Sequence, residues 1–443
     1  MKNIVRAVES HREMILEAER YIWNNPETGY KEYKTSAYME EKFRELGYEL
    51  TLADGITGFY TVVDTGVDGP EVLVLAELDS VICPTHPDAD KQTGAVHACG
   101  HNAQCAAMLG IAAALKDEAV LEGLSGRIRL CVVPAEELLE IGYRKELKDQ
   151  GKIKYFGGKS EFLHRGYFDG VDIALMVHTA GGFAVMSGSN GCIAKSIIYK
   201  GVAAHAGGSP DQGRNALYAA NCGLNAINAI RETFRDQDHV RVHPIVTRGG
   251  DMVNAIPETV TLESYVRGKT FKAVVENNAK VNRALCGAAL SIGTNVEIVD
   301  IPGYSPLTND VNMMRLAKDA LELLDPEINF WFGEGITDTG STDMGDLSCI
   351  MPVVHPYCAG ARGKGHGNDY EIADAEMACI KSAEWQLIML KLLLGEGAER
   401  AREVIAGFKA QFASREEFLA YQDALNDSGD RIVYSDGKAE IRL

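Results

Sequence analysis

Cysteine, histidine and glutamate residues that could bind metal ions or move protons occur at several separate places in the chain. Cys99 and His101 lie two residues apart in HACGHN, where a thiolate and an imidazole could bind one divalent ion or two adjacent ions. Glu136 and Glu137 follow the apolar run RIRLCVV, and two neighbouring carboxylates could divide metal binding and proton transfer between them. Each motif also has an ordinary interpretation, as a buried thiol with a hydrogen-bonded histidine or as two acids at the start of a helix.

Two further histidines extend this set. His178 directly follows VDIALMV, and His366 lies in the glycine-rich segment GHGND, where small neighbours allow a close approach to an ion. Each could instead be a polar end to a buried strand or a solvated loop residue. Five potential ligands suit two adjacent divalent ions better than one closed structural site, and all lie where strands or loops reach one predicted sheet edge: Cys99, His101, Glu137, His178 and His366.

The surrounding sequence predicts the elements that position these residues. Short apolar runs bounded by Gly and Pro are typical of buried strands, and an Ala-rich helix lies between two of them. Strands that alternate with helices predict a largely parallel sheet with helices on both faces. We expect strands at Thr61–Asp64, Glu71–Ala76, Arg127–Val133 and Val171–Val177, and a helix at Asn102–Leu115.

The middle of the chain has a different order of elements, β-α-β-β-α-β, which is the ferredoxin-like arrangement. We therefore expect a first domain from residues 1–191 and 306–443, with a second domain of residues 192–305 inserted into it. The expected elements of the insert are Ser196–Gly201, Gly213–Phe234, Val240–Thr247, Thr259–Gly268, Thr270–Cys286 and Val296–Val299.

The composition narrows the class of protein. The chain is 46% apolar and 24% charged with a formal net charge of −19, which predicts a globular protein with an acidic surface. Such a surface repels nucleic acid and anionic lipid, so we expect neither as a partner. The ten cysteines form no C-x-x-C pair and no apolar stretch is long enough for a membrane helix, so we expect a reduced, cytoplasmic protein.

The ordered motifs ELDS, HACGHN, PAEE, MVH, AAHAGGSPDQGRNAL, NAIPETVTLESYVRG, GSTDMGD and HGNDYEI resemble the M20 metallopeptidases. The similarity is greatest to their amidohydrolase branch, in the subgroup of aminobenzoyl-glutamate hydrolases and β-alanyl-dipeptidase-like proteins, and it extends to about residue 395. The resemblance implies a catalytic domain with two divalent metal ions, Zn²⁺ or Mn²⁺, and an inserted lid through which the protein forms a homodimer.

The resemblance also implies a role for individual residues. Cys99, His101, Glu137, His178 and His366 would hold the metals, and Asp79 would orient a ligand. Glu136 would be the general base that activates a metal-bound water and returns its proton to the leaving amine. In the lid, His205 would stabilise the developing oxyanion, while Asn254 and Arg267 would hold a substrate carboxylate.

The function implied is hydrolysis of an amide bond in a small substrate that carries a carboxylate, such as an N-acyl amino acid, a dipeptide or an aminobenzoyl-glutamate-like conjugate. Two alternatives remain open. A cysteine hydrolase would use Cys99 as nucleophile, with a base and an orienting partner beside it. A catalytically silent protein of the same fold would bind a small conjugate without turnover.

The chain departs from the family pattern at two places. Asn102 and Gln104 stand where the amidohydrolase branch commonly has Asp and His, and an Asn at this position cannot act as a base. A long segment, residues 138–169, separates Glu137 from the strand that precedes His178. It is interpreted either as a cap that sets substrate choice or as a solvent-facing helix inserted in a loop. On the first interpretation, deletion of residues 139–158 changes the substrate range and leaves the metal content intact.

Overall fold

A computed structural model describes the whole chain, from Met1 to Leu443. It divides into two compact units. Unit 1 comprises Met1–Gly188, Leu307–Asp338 and Thr342–Arg415, and unit 2 comprises Ser189–Pro306, Thr339–Ser341 and Glu416–Leu443. The longest stretch of unit 2, Ser189–Pro306, covers the part of the chain where the sequence predicts a second domain of residues 192–305. The division departs from the expected boundaries in the C-terminal tail.

The α-helices in chain order are α1 (Lys2–Glu9), α2 (Arg12–Trp23), α3 (Tyr33–Glu45), α4 (His101–Ala114), α5 (Glu118–Leu121), α6 (Ile141–Asp149), α7 (Gly158–His164), α8 (Ala216–Ile230), α9 (Phe271–Ile292), α10 (Val311–Leu324), α11 (Met344–Ser348), α12 (Ser382–Leu394), α13 (Glu399–Gly407) and α14 (Arg415–Leu425). The strands of unit 1 up to residue 188 are β1 (Thr51–Leu52), β2 (Phe59–Asp64), β3 (Glu71–Glu77), β4 (Val81–Ile82), β5 (Ala95–Val96), β6 (Arg127–Val133), β7 (Ile173–Leu175), β8 (His178–Thr179) and β9 (Phe183–Ser189).

The remaining strands are β10 (Gly191–Lys200), β11 (Arg241–Val242), β12 (Ile245–Arg248), β13 (Thr259–Gly268), β14 (Asn295–Pro302), β15 (Leu307–Thr308), β16 (Phe330–Thr337), β17 (Val353–Val354), β18 (Tyr357–Cys358), β19 (Ala361–Arg362), β20 (Glu371–Ile372), β21 (Asp427–Asp430), β22 (Ile432–Ser435) and β23 (Lys438–Ile441).

The main sheet of unit 1 is largely parallel, as the sequence predicts. Its strand order is β1-β2-β6-β3-β7-β17. Strands β6, β3, β7 and β17 are mutually parallel, whereas β1 and β2 run antiparallel to their neighbours at one end of the sheet. The carboxyl ends of the parallel strands meet at one edge, where α/β proteins usually place a ligand. This edge carries Glu77, Glu136 and the chain that leads to His178.

Helix α4 packs in the core of unit 1, and every one of its residues is buried. Its Ala-rich sequence makes this possible because small side chains let neighbouring elements approach on all sides. Gly110 illustrates the tightness of the packing, since a Cβ there would lie 2.7 Å from Cδ1 of Ile15 in α2. The first residue of α4 is His101, so the rigid core holds one of the candidate ligands.

Unit 2 is built on an antiparallel sheet of order β11-β13-β10-β14-β21, with β12 also paired to β13. Helices α8 and α9 supply its core together with the sheet. The predicted strand at 240–247 is two strands in the structure, because Pro244 lacks the N–H that a continuous ladder needs. Thr270 caps α9 by accepting a hydrogen bond from the Ala273 N–H, and Gly293 ends it with φ of 69°.

The C-terminal tail departs from the expected division of the chain. Residues 306–443 are all assigned to the first domain by the sequence, yet Glu416–Leu443 belong to unit 2. The reason is strand pairing: β21 forms an antiparallel ladder with β14 and extends the sheet by one strand. Asn295 adds two bonds to Ile432, donating from Nδ2 to its carbonyl and accepting from its N–H.

The fold class predicted from the sequence, a largely parallel α/β sheet with an inserted ferredoxin-like unit, is confirmed. Three helices, α1, α2 and α3, occupy the first fifty residues. None of the helices is both long enough and apolar enough to cross a lipid bilayer.

Candidate metal and catalytic site

The five predicted ligands come from four places around the carboxyl edge of the main sheet. Cys99 lies in the tight turn before α4, where Gly100 adopts a φ of 92°. A Cβ on Gly100 would lie 2.5 Å from Oη of Tyr370, so this turn requires glycine. His366 has a φ of 61°, and its N–H donates to the carbonyl of Ala98 at 2.8 Å, which ties its loop to the Cys99 turn.

The donor atoms of these residues converge. Sγ of Cys99 lies 3.4 Å from Nε2 of His178, and Nε2 of His366 lies 2.9 Å from Oε1 of Glu137. Three groups have ligand atoms within 4.8 Å of one another. Cys99 belongs to two of them, with His101 and His178 and with Glu137 and His366, and the third comprises Glu77, His101 and Glu136. The predicted ligands are therefore brought together in space, with the thiolate common to two adjacent sets.

Hydrogen bonds orient two of the imidazoles for metal binding. Nδ1 of His101 lies 2.9 Å from the carbonyl oxygen of Asp79 and 3.2 Å from its Oδ1. Nδ1 of His178 lies 2.8 Å from the carbonyl oxygen of Thr179. A carbonyl oxygen only accepts, so each Nδ1 carries a proton and each Nε2 faces the cluster, where it could bind a metal ion. This is the arrangement that metal-binding histidines adopt.

The distances and the donor set fit divalent ions. With bonds of about 2.0 Å to nitrogen and about 2.3 Å to sulfur, two ligands of one tetrahedral ion are about 3.5 Å apart. The separation between Cys99 and His178 matches this value. Nε2 of His101 is buried and lies 3.1 Å from Oε2 of Glu77 without a hydrogen bond between them, so a bound cation would give this nitrogen the partner it lacks. Thiolate, imidazole and carboxylate together suit Zn²⁺ or Mn²⁺.

The electrostatics of the cluster favour cations. Burial and the Glu137 carboxylate raise the pKa of the Cys99 thiol, but His101 and His178 outweigh them and lower it to about 6. The Glu137 carboxylate, followed by hydrogen bonds to Cys99 and Glu137, raises the pKa of His366 to about 11. A dense group of carboxylates and a thiolate is buried beside His366. Its negative charge attracts a proton to the imidazole, and it attracts a divalent cation for the same reason.

Glu136 is placed differently from Glu137. Its Oε2 lies 4.0 Å from Nε2 of His101, beyond hydrogen-bond distance. Burial, followed by the charges of Glu77, Glu137 and Asp343, raises the pKa of Glu136 well above its ordinary value. For Glu137, burial acts in the same direction, yet His366 and the other contacts outweigh it and lower the pKa to about 2. Two adjacent carboxyl groups thus have opposite tendencies, one to hold a proton and one to stay charged.

Asp79 contacts both His101 and the loop that carries Glu136 and Glu137. Besides its contacts to Nδ1 of His101, its Oδ2 accepts a hydrogen bond of 2.8 Å from the N–H of Glu137. One buried carboxylate therefore fixes a candidate ligand on α4 and the loop that follows β6.

Three residues of this site were not predicted. Glu77 ends β3, and its Oε2 lies 3.1 Å from Nε2 of His101. Lys159, fully buried, makes ion pairs with Glu77 and with Asp343. The position of Glu77 at a strand end and of Asp343 in GSTDMGD could have indicated both acids. The pairing of Lys159 had no local signal, because its partners are distant in the sequence.

Asn102 and Gln104, the two amides that depart from the family pattern, both have buried partners. Nε2 of Gln104 donates to Oε2 of Glu77 at 3.0 Å, and Nδ2 of Asn102 donates to Oε1 of Glu19 at 2.8 Å. Both amides are buried in α4, and each donates a hydrogen bond to a carboxylate that is itself buried. Neither supplies a proton-transfer group.

The three predicted lid residues all belong to unit 2. Nδ1 of His205 accepts hydrogen bonds from the N–H groups of Gly207 and Gly208, at 3.1 and 2.8 Å. Asn254 accepts a backbone bond of 2.9 Å from Ala206, so it neighbours His205. Arg267 lies on β13, where Nη1 donates to Oγ of Ser341 at 3.2 Å. These positions leave the catalytic and binding roles of the three residues as predictions.

Comparison with known proteins identifies the family to which this chain is similar. Residues 73–355 match the family model described as Peptidase family M20/M25/M40. An indole-3-acetyl-aspartic acid hydrolase of Enterobacter agglomerans is 28% identical over 63% of this chain and 72% of its own length. An N-acetyl-L-cysteine deacetylase of Bacillus subtilis is 27% identical over 69% of this chain and 73% of its own length.

Two solved structures share the fold. One is a protein of Bacillus subtilis described as a dinuclear metal binding peptidase from the M20 family. It superimposes with a TM-score of 0.63 and 19% identity, over 87% of this chain and 99% of the other. The second is an aminobenzoyl-glutamate utilization protein from Klebsiella pneumoniae, with a TM-score of 0.64 and 18% identity over 87% of this chain and 97% of the other.

Proposed function

The chain belongs to peptidase family M20/M25/M40 and is a hydrolase of amide bonds, and from this premise we propose that its substrate is a small amide that carries a carboxylate. N-acyl amino acids, dipeptides and aminobenzoyl-glutamate-like conjugates are the candidate classes. The observation that carries the proposal is the convergence of a thiolate, three imidazoles and Glu137 beside Glu136, a second carboxylate outside both ligand groups that contain Cys99.

Five residues would hold two divalent ions: Cys99, His101, His178, Glu137 and His366. Cys99 belongs to both of the ligand groups that these residues form. When bound, such ions polarise a carbonyl and make water acidic enough to attack it near neutral pH. The dinuclear relative from Bacillus subtilis is consistent with this occupancy.

Glu136 is the proposed general base and acid. Its carboxylate takes a proton from the attacking water, and the resulting carboxylic acid donates that proton to the nitrogen of the leaving amine. Burial and neighbouring acids raise its pKa, which helps it to hold the proton between the two steps. Proton transfer thus returns Glu136 to its starting state after each turnover.

His205 is the proposed oxyanion donor. Because its Nδ1 accepts from two backbone N–H groups, its ring proton lies on Nε2. A neutral Nε2–H can donate to an oxygen that gains negative charge during amide cleavage. Asn254 and Arg267 are the proposed partners of the substrate carboxylate, and the planar guanidinium of Arg267 can bind both carboxylate oxygens.

We further propose that the protein dimerises through the sheet of unit 2. One edge of that sheet is formed by β21, which pairs with β14. Strand β12 is exposed along its length, and Ile245 is 60% exposed there. An exposed apolar strand is a template for pairing with a second copy. Static light scattering of wild type and of Ile245→Lys tests this, with a dimer expected only for wild type.

One observation favours a second candidate, a cysteine hydrolase. Cys99 and His178 are 3.4 Å apart, and the two histidines near the thiol lower its pKa to about 6 after burial and Glu137 have raised it. This pair resembles an activated nucleophile with its base. The same contact is accounted for by two ligands of one ion, and only that account also gives roles to His101, Glu137 and His366.

The test is a hydrolysis screen of N-acyl amino acids, dipeptides and aminobenzoyl-glutamate, with elemental analysis of the same preparation. Metal-loaded wild type should release product and Glu136→Gln should not, while both contain metal. Equal product release by the two proteins would overturn the proposed role of Glu136. Absence of turnover for every substrate class, with metal present, would favour a silent binding protein.

A further inference from the structure

The loop that presents Glu136 has a strained backbone. It runs from Pro134 to Glu137 directly after β6, and Ala135 within it has a φ of 57°. A non-glycine residue rarely adopts this left-handed conformation, which carries a free-energy cost. Ala135 is also fully buried, so its N–H and carbonyl must find partners inside the protein. The surroundings must therefore hold this loop in place.

Two acidic side chains hold its N–H groups. Oε1 of Glu32 accepts from the N–H of Ala135 at 2.8 Å, and Oδ2 of Asp79 accepts from the N–H of Glu137 at 2.8 Å. Glu32 is itself fixed by the hydroxyl of Thr57, which donates to its Oε2 at 2.6 Å. The carbonyls of the loop need donors on the opposite side.

Arg144 supplies those donors. Its guanidinium donates from Nη1 to the carbonyls of Phe156 and Ala135, at 2.6 and 3.5 Å, and from Nη2 to the carbonyl of Glu137. Gly158 adds a bond of 3.2 Å from its N–H to the carbonyl of Ala135. The Arg144 residue is 1% exposed, although the helix that carries it, α6, also has exposed residues.

The N-terminal turn leaves room for this guanidinium and anchors its helix. A Cβ on Gly29 would lie 2.9 Å from Cα of Ala135 and against Nη2 of Arg144, so glycine is required there. Glu140, immediately before α6, accepts hydrogen bonds from Oγ1 of Thr28 at 2.6 Å and from Nζ of Lys31 at 2.7 Å. The position of α6 is thereby fixed by a part of the chain more than a hundred residues away.

We propose that Arg144 is a positioning residue, which fixes the Glu136 carboxyl group by holding the carbonyls of Ala135 and Glu137 on either side of Glu136. This inference rests on the proposed function and gives the segment 138–169 a role other than the two expected from sequence. On this inference, the segment 138–169 is neither only a cap over the substrate nor a solvent-facing helix. Deletion of residues 139–158 removes Arg144, so we now expect that deletion to impair catalysis for every substrate.

Arginine is required here because its planar fork reaches three carbonyls at once, which an ammonium on a flexible stem does not reproduce. Arg144→Lys keeps the positive charge and removes this geometry. A displacement of about 1 Å in a catalytic group can lower turnover by about 100-fold. We expect kcat of Arg144→Lys to fall by about 10- to 100-fold, with KM and metal content close to wild type.

The matched control is Lys145→Gln on the same helix, where the Lys145 side chain is 54% exposed and pairs with Asp149. It should keep the wild-type kcat. Added guanidinium should restore part of the activity of Arg144→Ala and have no such effect on Lys145→Ala. Rescue of this kind would not follow from a general loss of stability.

A milder variant controls for the possibility that Arg144 variants lose activity through misfolding. Glu140→Gln weakens the anchor of α6 without emptying the guanidinium pocket, and we expect a fall in kcat of a few fold. Unchanged kcat in Arg144→Lys, or a loss of activity that only parallels loss of metal or of folded protein, would overturn the inference.

Hydrogen exchange separates this inference from the proposed function. In Arg144→Lys, amides of the peptide covering residues 132–139 should exchange faster than in Lys145→Gln, whether or not a substrate is known. Equal exchange in the two variants would overturn the positioning role. Absence of wild-type turnover together with faster exchange in Arg144→Lys would count against the proposed reaction alone.

Discussion

The two units hold their candidate residues in different ways. In unit 1, the side chains of His101 and Asp79 are 0% exposed and are joined to each other by hydrogen bonds. In unit 2, His205 and Asn254 are exposed, and Arg267 is half-buried. Contacts among buried groups fix geometry before any ligand arrives, whereas exposed side chains gain partners from a ligand or a second chain. On the proposed function, unit 1 supplies the metal-binding and proton-transfer groups, and unit 2 supplies the groups that contact the substrate.

The largest effect should come from removing the metals, which acts on unit 1 alone. Because three imidazoles, a thiolate and Glu137 would face one another without ions, chelation should abolish hydrolysis and lower the melting temperature. Ligand linkage gives about 2.7 kcal/mol of stabilisation at a free metal concentration of about 100 times Kd. Activity assays and thermal melts with EDTA, followed by addition of Zn²⁺ or Mn²⁺, measure both effects. Full activity in the chelated protein would instead support the cysteine hydrolase.

Glu136→Gln should rank next, because it removes the proton acceptor and preserves the shape of the site. We expect kcat to fall by about 10²- to 10⁴-fold with little change in metal content. Glu146→Gln, on the exposed face of α6, is the control and should behave as wild type. A Glu136→Gln variant that loses metal along with activity would make Glu136 a ligand rather than a base.

His205→Ala tests whether unit 2 takes part in the chemistry as well as in recognition. Loss of one donor to a developing oxyanion lowers kcat by about 10²- to 10³-fold. Metal content and melting temperature should not change, since the His205 side chain bonds to the backbone of its own turn. His164→Ala is a control at an exposed histidine of unit 1. Equal kcat for these two variants would confine the chemistry to unit 1.

The sequence predicts a residue's place in the site when that place follows from a local pattern, and fails to predict it when the place depends on a tertiary contact. Strand ends follow from local patterns, so residues placed at them, such as Glu137 and His178, could be predicted to converge. The partners of Glu77 and Asp343 could not, because Lys159 is close to neither in the sequence. The role of Arg144 was missed for a related reason: its charged neighbours suggest a solvated helix, and only the tertiary contact with the Glu136 loop explains its burial.

The tail shows the same limit in unit 2. Residues 427–430 are polar and carry no alternation of apolar side chains, so their sequence does not predict a strand. They form one because β14 presents an unpaired edge, and backbone hydrogen bonds require no particular side chains. Pairing with a distant edge depends on the folded sheet and leaves little trace in the local pattern.

Arg267→Lys should have a smaller effect, on binding rather than on turnover. The variant keeps the charge and loses the bidentate fork, so we expect KM for a carboxylate-bearing substrate to rise by about tenfold. The primary amide of the same substrate should show no such difference between variant and wild type. Arg283→Lys, at an exposed position of α9, is the matched control. A fall in kcat without a rise in KM would assign Arg267 to the chemistry instead.

The smallest effect concerns the pH dependence of the metal-free protein. Burial and Glu137 raise the pKa of the Cys99 thiol, but His101 and His178 reverse this and lower it from an ordinary 9.0 to about 6. A pKa lowered by folding means that the thiolate contributes stability fully above about pH 9 and that this contribution is lost as the pH falls through about 6. The free energy of unfolding of metal-free protein should therefore decline more over this range in wild type than in Cys99→Ser, whose hydroxyl does not ionise. Denaturant unfolding at about pH 6, 7.5 and 9 measures the difference, and identical profiles for the two proteins would mean that unit 1 does not hold Cys99 as a thiolate before metal binds.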